Sequence, residues 1–302
     1  MDERRTVDRS KTSGVLVVDK PVGLSSHQVV QIIRQGTHIK RAGHTGTLDP
    51  RASGVLVVLV GPAVRLSEYL SAEDKRYQAT IKLGEKTDTY DTDGVVTGTS
   101  EISISLEEFE AALQDFIGEI EQVPPPYSAI KVKGKHAYDL ARRGEKVELE
   151  PRTIQVHSLE VLEWNPPEVV VDVHCSSGTY IRSLAHDIGE KLGCGATLTA
   201  LRRTKSGRFT LKDAQPLGKI TEAFENNSWY RYLIPAAEAL SEWPSITLSN
   251  EEVDLVKHGH RIPGRESKEG LVRAITEQGE LVALMERDQE TGEYQPKKVF
   301  FA

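Results

Sequence analysis

The longest apolar run in the chain, Val55–Val60, continues past Gly61-Pro62 only as far as Val64. A membrane-spanning helix needs about 20 such residues, so the run is far too short to be one. The run is β-branched and bounded by Gly and Pro, and it reads as a buried strand; Gly14–Asp19 (GVLVVD) reads the same way. Between the two, Val29, Val30, Ile32 and Ile33 recur at helical spacing, with Ser26 placed to cap the helix and an end expected near Gly36. Tyr77–Leu83 alternates as a strand does. Ser105 and Glu108 form a capping box that opens a helix with Leu106, Phe109, Leu113 and Phe116 on one face. Strands are expected at 153–163 and 168–174. A helix over Ile181–Leu192 directs Leu184, Ala185 and Ile188 inward and stops at Gly193. The three prolines in Val123–Tyr127 impose an extended crossing. Strands and helices in this irregular order predict an α+β fold rather than repeating βαβ units.

The 302 residues suffice for more than one domain. Residues 1–13 are polar and are expected to be a disordered tail with no secretory h-region. Residues 14–240 read as one main domain. The Pro235–Ser249 segment reads as a link to a small module over 246–302, made of short strands with Gly-bounded turns. Cys175 and Cys194 stand alone, with no CxxC partner and no His cluster around them, so neither a zinc site nor a disulfide is expected and a reducing, cytoplasmic setting fits.

The net charge of −7 argues against a nucleic-acid partner only if charge is spread evenly, and it is not. Glu101–Glu121 holds seven acids and no base, whereas Lys191, Arg202, Arg203, Lys205, Arg208 and Lys212 follow one another with no acid until Asp213. Lys131, Lys133, Lys135, Arg142 and Arg143 form a second basic segment.

The segment with most chemical content is Gly43–Leu56, GHTGTLDPRASGVL: a Gly-punctuated loop that holds one carboxylate, Asp49, and runs directly into a buried strand. Pro50 keeps Asp49 out of helical geometry, and loops fixed against a rigid strand commonly carry function. On turn chemistry alone, Asp49 could instead close an Asx-turn.

This segment resembles the catalytic motif of the TruB family of tRNA pseudouridine synthases, whose motif aspartate attacks the target nucleotide. Four further segments resemble the same family in the same order: DKPVGLSSH from Asp19, DKRY from Asp74, PPYSAIKVKG from Pro125 with Ala137-Tyr138 and Ala141-Arg142 after it, and SSGTYIRSLAHDIG from Ser176. The resemblance is good over about 14–210. The last module resembles a PUA-type RNA-binding domain more weakly, through Lys257–His260 and Ile262–Gly264.

The resemblance implies a catalytic domain built on a large mixed, mostly antiparallel sheet, followed by a small β-rich domain. It implies isomerisation of uridine to pseudouridine at position 55 in the T loop of tRNA. The bond from uracil N1 to ribose C1′ breaks and the base rejoins through C5. Nothing is oxidised and no group is brought in, so no cofactor or metal is implied. Asp49 would be the nucleophile, the choice between an ester at C1′ and a glycal route staying open. Arg182 would pair with Asp49 and hold it ionised. Tyr77 and Tyr180 would line the uracil pocket with Leu201, Tyr77 stacking on the base. His44 would help to extract the uridine. Lys20, Lys131 and Arg142 would meet phosphates, as would Arg202 and Arg203. The partner implied is the tRNA T arm, met by a monomer. Two other readings share the motifs: a guide-RNA-dependent synthase of the Cbf5/dyskerin type, and a non-catalytic tRNA-binding or folding factor.

Overall fold

The structure is a computed structural model that describes residues 12–300, apart from 129, 133, 142, 144, 146, 147, 265–267 and 269. Residues 1–11 of the expected N-terminal tail and Arg142 therefore lie outside the described residues. In chain order the elements begin with strand β1 (Gly14–Lys20), helix α1 (Ser26–Thr37), strands β2 (Ala42–His44) and β3 (Ala52–Val60), and helix α2 (Ser67–Ala72). Next come β4 (Lys75–Leu83), β5 (Glu85–Thr87), β6 (Val96–Thr99), α3 (Leu106–Leu113), β7 (Gly118–Gln122), β8 (Lys131–Val132), β9 (Lys135–His136) and α4 (Ala137–Ala141). The long strands β10 (Arg152–Asn165) and β11 (Glu168–Cys175) precede α5 (Ile181–Lys191) and β12 (Ala196–Ser206). The remainder is β13 (Phe209–Thr210), β14 (Gln215–Pro216), α6 (Leu217–Glu225), β15 (Leu233–Pro235), α7 (Ala236–Ala239), β16 (Ser245–Thr247), α8 (Asn250–Lys257), β17 (Leu271–Ile275), β18 (Leu281–Arg287) and β19 (Tyr294–Val299). Among the described residues no helix is long and apolar enough to cross a membrane.

The chain forms two compact units. One holds the described residues up to Pro50, Val55–Ser71 and those from Arg208 on; the other holds Arg51–Gly54 and Ala72–Gly207. In the second unit the first residues of β3 lie parallel to β12, and β12–β4–β11–β10–β7 continue as an antiparallel series. This is the large mixed, mostly antiparallel sheet that the resemblance implied. Alternation along β4 buries Lys75, Tyr77, Ala79, Ile81 and Leu83 and turns Arg76 and Gln78 outward. Helix α5 buries Ile181, Leu184, Ala185 and Ile188 and packs against β12 and β4. Where β3 enters this sheet, Gly54 has φ +101°, and a Cβ there would stand 2.2 Å from the Arg203 carbonyl oxygen. The motif glycine is thus required by a close backbone approach.

In the first unit β1 is flanked by β14, β15 and β3. Val15 and Val17 of β1 pack with Val55, Val57 and Leu59 of β3 and with Phe209. Each such side chain contributes about 1.5–3 kcal/mol on burial. A second sheet, β16–β17–β18–β19, has its own core of Val253, Val256, Val272, Ala274, Val282, Met285 and Tyr294.

Three local expectations shift. Ser25, not Ser26, caps α1: its backbone is extended, and with Gln28 it closes a capping box that the sequence carries as S-x-x-Q. Phe116 falls in the turn after α3, whose buried face is Phe109, Ala112 and Leu113. Within 246–302, where only strands are expected, Ser249 and Glu252 form a capping box that opens α8.

Candidate active site

Asp49 lies on a loop whose neighbours on both sides are fixed through the backbone. Strand β2 pairs antiparallel with β3, and Thr45 N–H extends that ladder to the Val57 carbonyl at 3.1 Å. Leu48 is buried and is held twice by one hydroxyl: its N–H donates to Ser26 Oγ (2.7 Å), which donates to its carbonyl (2.9 Å). On the other side the Pro50 carbonyl accepts from Gly23 N–H (2.8 Å) and from Lys20 Nζ (3.5 Å). Asp49 itself is half-buried. The DKPVGLSSH segment therefore supplies the clamp that presents this carboxylate.

Lys20 is wholly buried, and its ammonium also donates to the carbonyls of Leu24 (2.6 Å) and Pro21 (2.9 Å). Three carbonyls replace the water it lost, so Lys20 is a strut within the loop and not the phosphate contact expected of it. His44 ends β2, and its Nδ1 accepts from Gly46 N–H at 3.3 Å.

In the second unit Arg182, near the start of α5, is buried. Its guanidinium lies 3.3 Å from the Asp91 carboxylate and donates to the carbonyls of Tyr127 (3.1 Å) and Thr89 (3.4 Å). Side-chain exposures of 10% and 14% make this an interior ion pair. Asp91 is fixed in turn, accepting from Thr89 Oγ1 (2.6 Å) and Asp93 N–H (3.0 Å). Tyr180 caps α5 in extended geometry and is gripped through its backbone by Gln122. The Gln122 amide accepts from Tyr180 N–H (2.8 Å) and donates to its carbonyl (3.0 Å). Tyr77 is buried on β4, opposite Val173 of β11 and Arg203 of β12, and Leu201 is half-buried on β12 opposite Ala79.

The structure brings Tyr77, Tyr180, Arg182 and Leu201 into one unit and places Asp49, His44 and Lys20 in the other. Arg203 is buried beside Lys75, whose ammonium is pulled down to about 8, first by burial and then by the Arg203 charge. Arg203 is thus an interior cation and cannot serve as a phosphate contact. Arg202 is half-buried, with Nη1 3.4 Å from Ser53 Oγ. The backbone of Lys131 pairs with His136 in the short β8–β9 ladder. Lys191, counted above with the basic run, forms an ion pair with Asp115.

Sequence reasoning missed Asp91 and the turn that carries it, Thr87–Gly94 (TDTYDTDG). The signal was present as a dense run of Asp and Thr ended by Gly, the composition of a turn that satisfies its own backbone. Thr87 Oγ1 donates to the Asp91 carbonyl (2.8 Å), and Tyr90 sits at φ +65° with its ring stacked 3.9 Å from that of His186.

The fold is that of the pseudouridine synthases. A chain in the solved structure of an H/ACA RNP bound to a substrate RNA containing 2′-deoxyuridine superposes with a TM-score of 0.74 at 29% identity, covering 96% of this chain and 85% of that one. A chain of a Cbf5–Nop10–Gar1 complex gives the same TM-score at 30% identity, with 95% and 85% covered. The model of the TruB family pseudouridylate synthase N-terminal domain matches residues 34–181, and that of the tRNA pseudouridylate synthase B C-terminal domain matches 182–241. The tRNA pseudouridine synthase B of Thiobacillus denitrificans is 40% identical over 291 residues, 96% of this chain and 97% of its own length. That of Syntrophotalea carbinolica is 44% identical over 248 residues, 82% of this chain and 81% of its own. The chain belongs to the TruB family of pseudouridylate synthases.

Proposed function

We propose that the chain converts uridine to pseudouridine in tRNA, at position 55 of the T loop, with Asp49 as nucleophile. The observation that carries this reading is the mounting of Asp49. Hydrogen bonds grip the backbone on both sides of it, and the residue itself is half-buried. A nucleophile needs a fixed position, because it must meet the reacting carbon of the substrate in one geometry.

The remaining roles follow from the chemistry. The target base leaves its stack and enters a pocket lined by Tyr77, Tyr180 and Leu201, whose faces hold the detached uracil while it turns. His44 occupies or borders the space the base vacates. Asp49 acts at C1′ or assists departure of uracil, Arg182 keeps it ionised, and a base then takes the C5 proton. Asp91 holds the Arg182 guanidinium in place. Arg202 and Lys131 meet RNA phosphates. The module over 246–302 adds RNA contacts of the PUA kind. The reaction needs no redox cofactor and no nucleotide, and it proceeds in the cytoplasm on tRNA alone.

The test is tritium release from C5-labelled uridine in an unmodified tRNA transcript, comparing wild type with Asp49→Asn and with a transcript lacking the uridine at position 55. Release by wild type only, and only from the intact transcript, supports the proposal. Release by Asp49→Asn removes Asp49 from its role, and release from the altered transcript moves the target. Activity that appears only with added guide RNA and partner proteins favours the Cbf5-type reading.

A further inference from the structure

Asp74, His157 and His174 lie outside the roles assigned above, yet the fold assembles them. Strand β11 alternates so that Val173 and Cys175 are buried and His174 faces the other way. Strand β10 carries a register shift between Val156 and Ser158 against β11, and His157 sits in that shift. Val156 is buried while His157 points outward, its ring centroid 4.7 Å from that of His174. A bulge of this kind re-aims a side chain and is a designed feature more often than a defect. Asp74 stands just before β4, and its backbone is pinned by Gly207 N–H donating to its carbonyl at 2.9 Å. Its carboxylate reaches both rings, 3.0 Å from His157 Nε2 and 3.8 Å from His174 Nε2.

One donor atom from each residue lies within 4.8 Å of the other two. Among the described residues no second group of three His, Cys, Asp or Glu side chains is so arranged. A single carboxylate needs only one imidazole as hydrogen-bond partner, so a lone Asp–His bond leaves the second ring unexplained. Two imidazoles and a carboxylate are instead the donor set that zinc and its neighbours favour. Ligands about 2.0–2.2 Å from a tetrahedral ion sit about 3.4 Å apart, close to the two Asp74 distances and within small side-chain rotations of the third. Side-chain exposures of 35%, 34% and 48% for His157, His174 and Asp74 leave room for water at a fourth position. Magnesium and calcium, which seek oxygen ligands, are excluded by the two nitrogens.

We propose that Asp74, His157 and His174 bind one divalent transition-metal ion, with zinc as the fitting example. The ion ties the start of β4 to the β10–β11 pair and so braces the strand that carries Tyr77. It takes no part in the isomerisation.

The test uses full-length, tag-free protein stripped with a chelator. Zn2+ is titrated calorimetrically, and Co2+ is titrated by visible absorption, which reports low-coordinate nitrogen and oxygen ligation without any variant. One ion per chain is expected, with the intense Co2+ bands of a tetrahedral site. His157→Ala and His174→Ala, both at outward-facing positions, should each weaken Zn2+ binding by at least about tenfold, since even outer-sphere partners are worth that much. Saturating Zn2+ should raise the melting temperature of wild type and not of the His157→Ala/His174→Ala double variant. Absence of saturable binding to wild type overturns the proposal. So does stoichiometric binding that survives the double variant unchanged, or a weak octahedral Co2+ spectrum.

Discussion

Asp49 and Arg182 are positioned by opposite means. Asp49 is placed by what grips its neighbours: Ser26 holds both polar backbone atoms of Leu48, while Gly23 and Lys20 hold Pro50. Arg182 is placed by what grips its own head group: the Asp91 carboxylate and the carbonyls of Tyr127 and Thr89. The first mounting fixes a residue through the backbone on either side of it. The second makes the side chain part of the interior, where a charge must be compensated to exist at all. A reacting group suits the first mounting and a permanent electrostatic fixture suits the second. Substitutions should therefore separate activity from stability in one place and join them in the other.

The largest effect is expected from Asp49→Asn, which keeps shape and backbone hydrogen bonds and removes the nucleophile. Turnover should fall at least about a thousandfold, with the unfolding midpoint and tRNA affinity close to wild type. Single-turnover tritium release and urea melts measure the two sides. A variant that melted early would mean that the carboxylate, and not its neighbours, holds the loop.

Arg182→Met should behave in the opposite way. It leaves Asp91 buried without its guanidinium, a loss of about 3–5 kcal/mol for a broken interior pair, visible in the urea midpoint as well as in activity. Adding Asp91→Asn to Arg182→Met should restore part of that stability and none of the activity. Recovery of activity would show that Arg182 serves the fold alone.

Ser25 and Ser26 sharpen the contrast at adjacent positions. Ser25→Ala removes the α1 cap and should cost about 1 kcal/mol with unchanged kcat. Ser26→Ala leaves the buried Leu48 N–H without a partner, costing about 1–3 kcal/mol. It should also lower kcat more than it raises KM, because it loosens the residue next to Asp49. Equal kinetics for the two variants would contradict the clamp.

What was legible in the sequence divides along the same line. Elements with strong periodicity or caps could be read directly: β1, β3, β4, α3 and α5 fall within a few residues of expectation. The motif around Asp49 was readable as a loop, but its clamp was not, because Ser26 and Leu48 meet across 22 residues and hydroxyl bonds leave no periodic trace. Lys20 and Arg203 were misread for a related reason. Charge in a sequence suggests surface, and only the fold shows three carbonyls around one ammonium and a guanidinium turned inward on β12. Asp91 escaped notice because turn-forming residues look alike whether the turn is scaffold or site.

Asp187, five residues beyond Arg182, tests whether the interior of the second unit tolerates charge that lacks compensation. Burial, and then the nearby Glu190, push its carboxyl from 3.8 up to about 6. In the native state it thus holds a proton between pH 4 and 6 that the unfolded chain has released, so its contribution to stability falls as pH rises through that window. Above pH 6 the whole penalty is present, and below pH 4 it is absent. Two pKa units would be worth about 3 kcal/mol. Asp187 is only part-buried, and solvent screening brings the expected figure nearer to about 1 kcal/mol. Asp187→Asn should accordingly be more stable than wild type by that amount at pH 7, and the gap should close by pH 4. Urea melts at the two pH values decide it. A gap that stays constant with pH would assign the gain to packing, and a loss at pH 7 would mean that Asp187, like Arg182, has an interior partner that its charge requires.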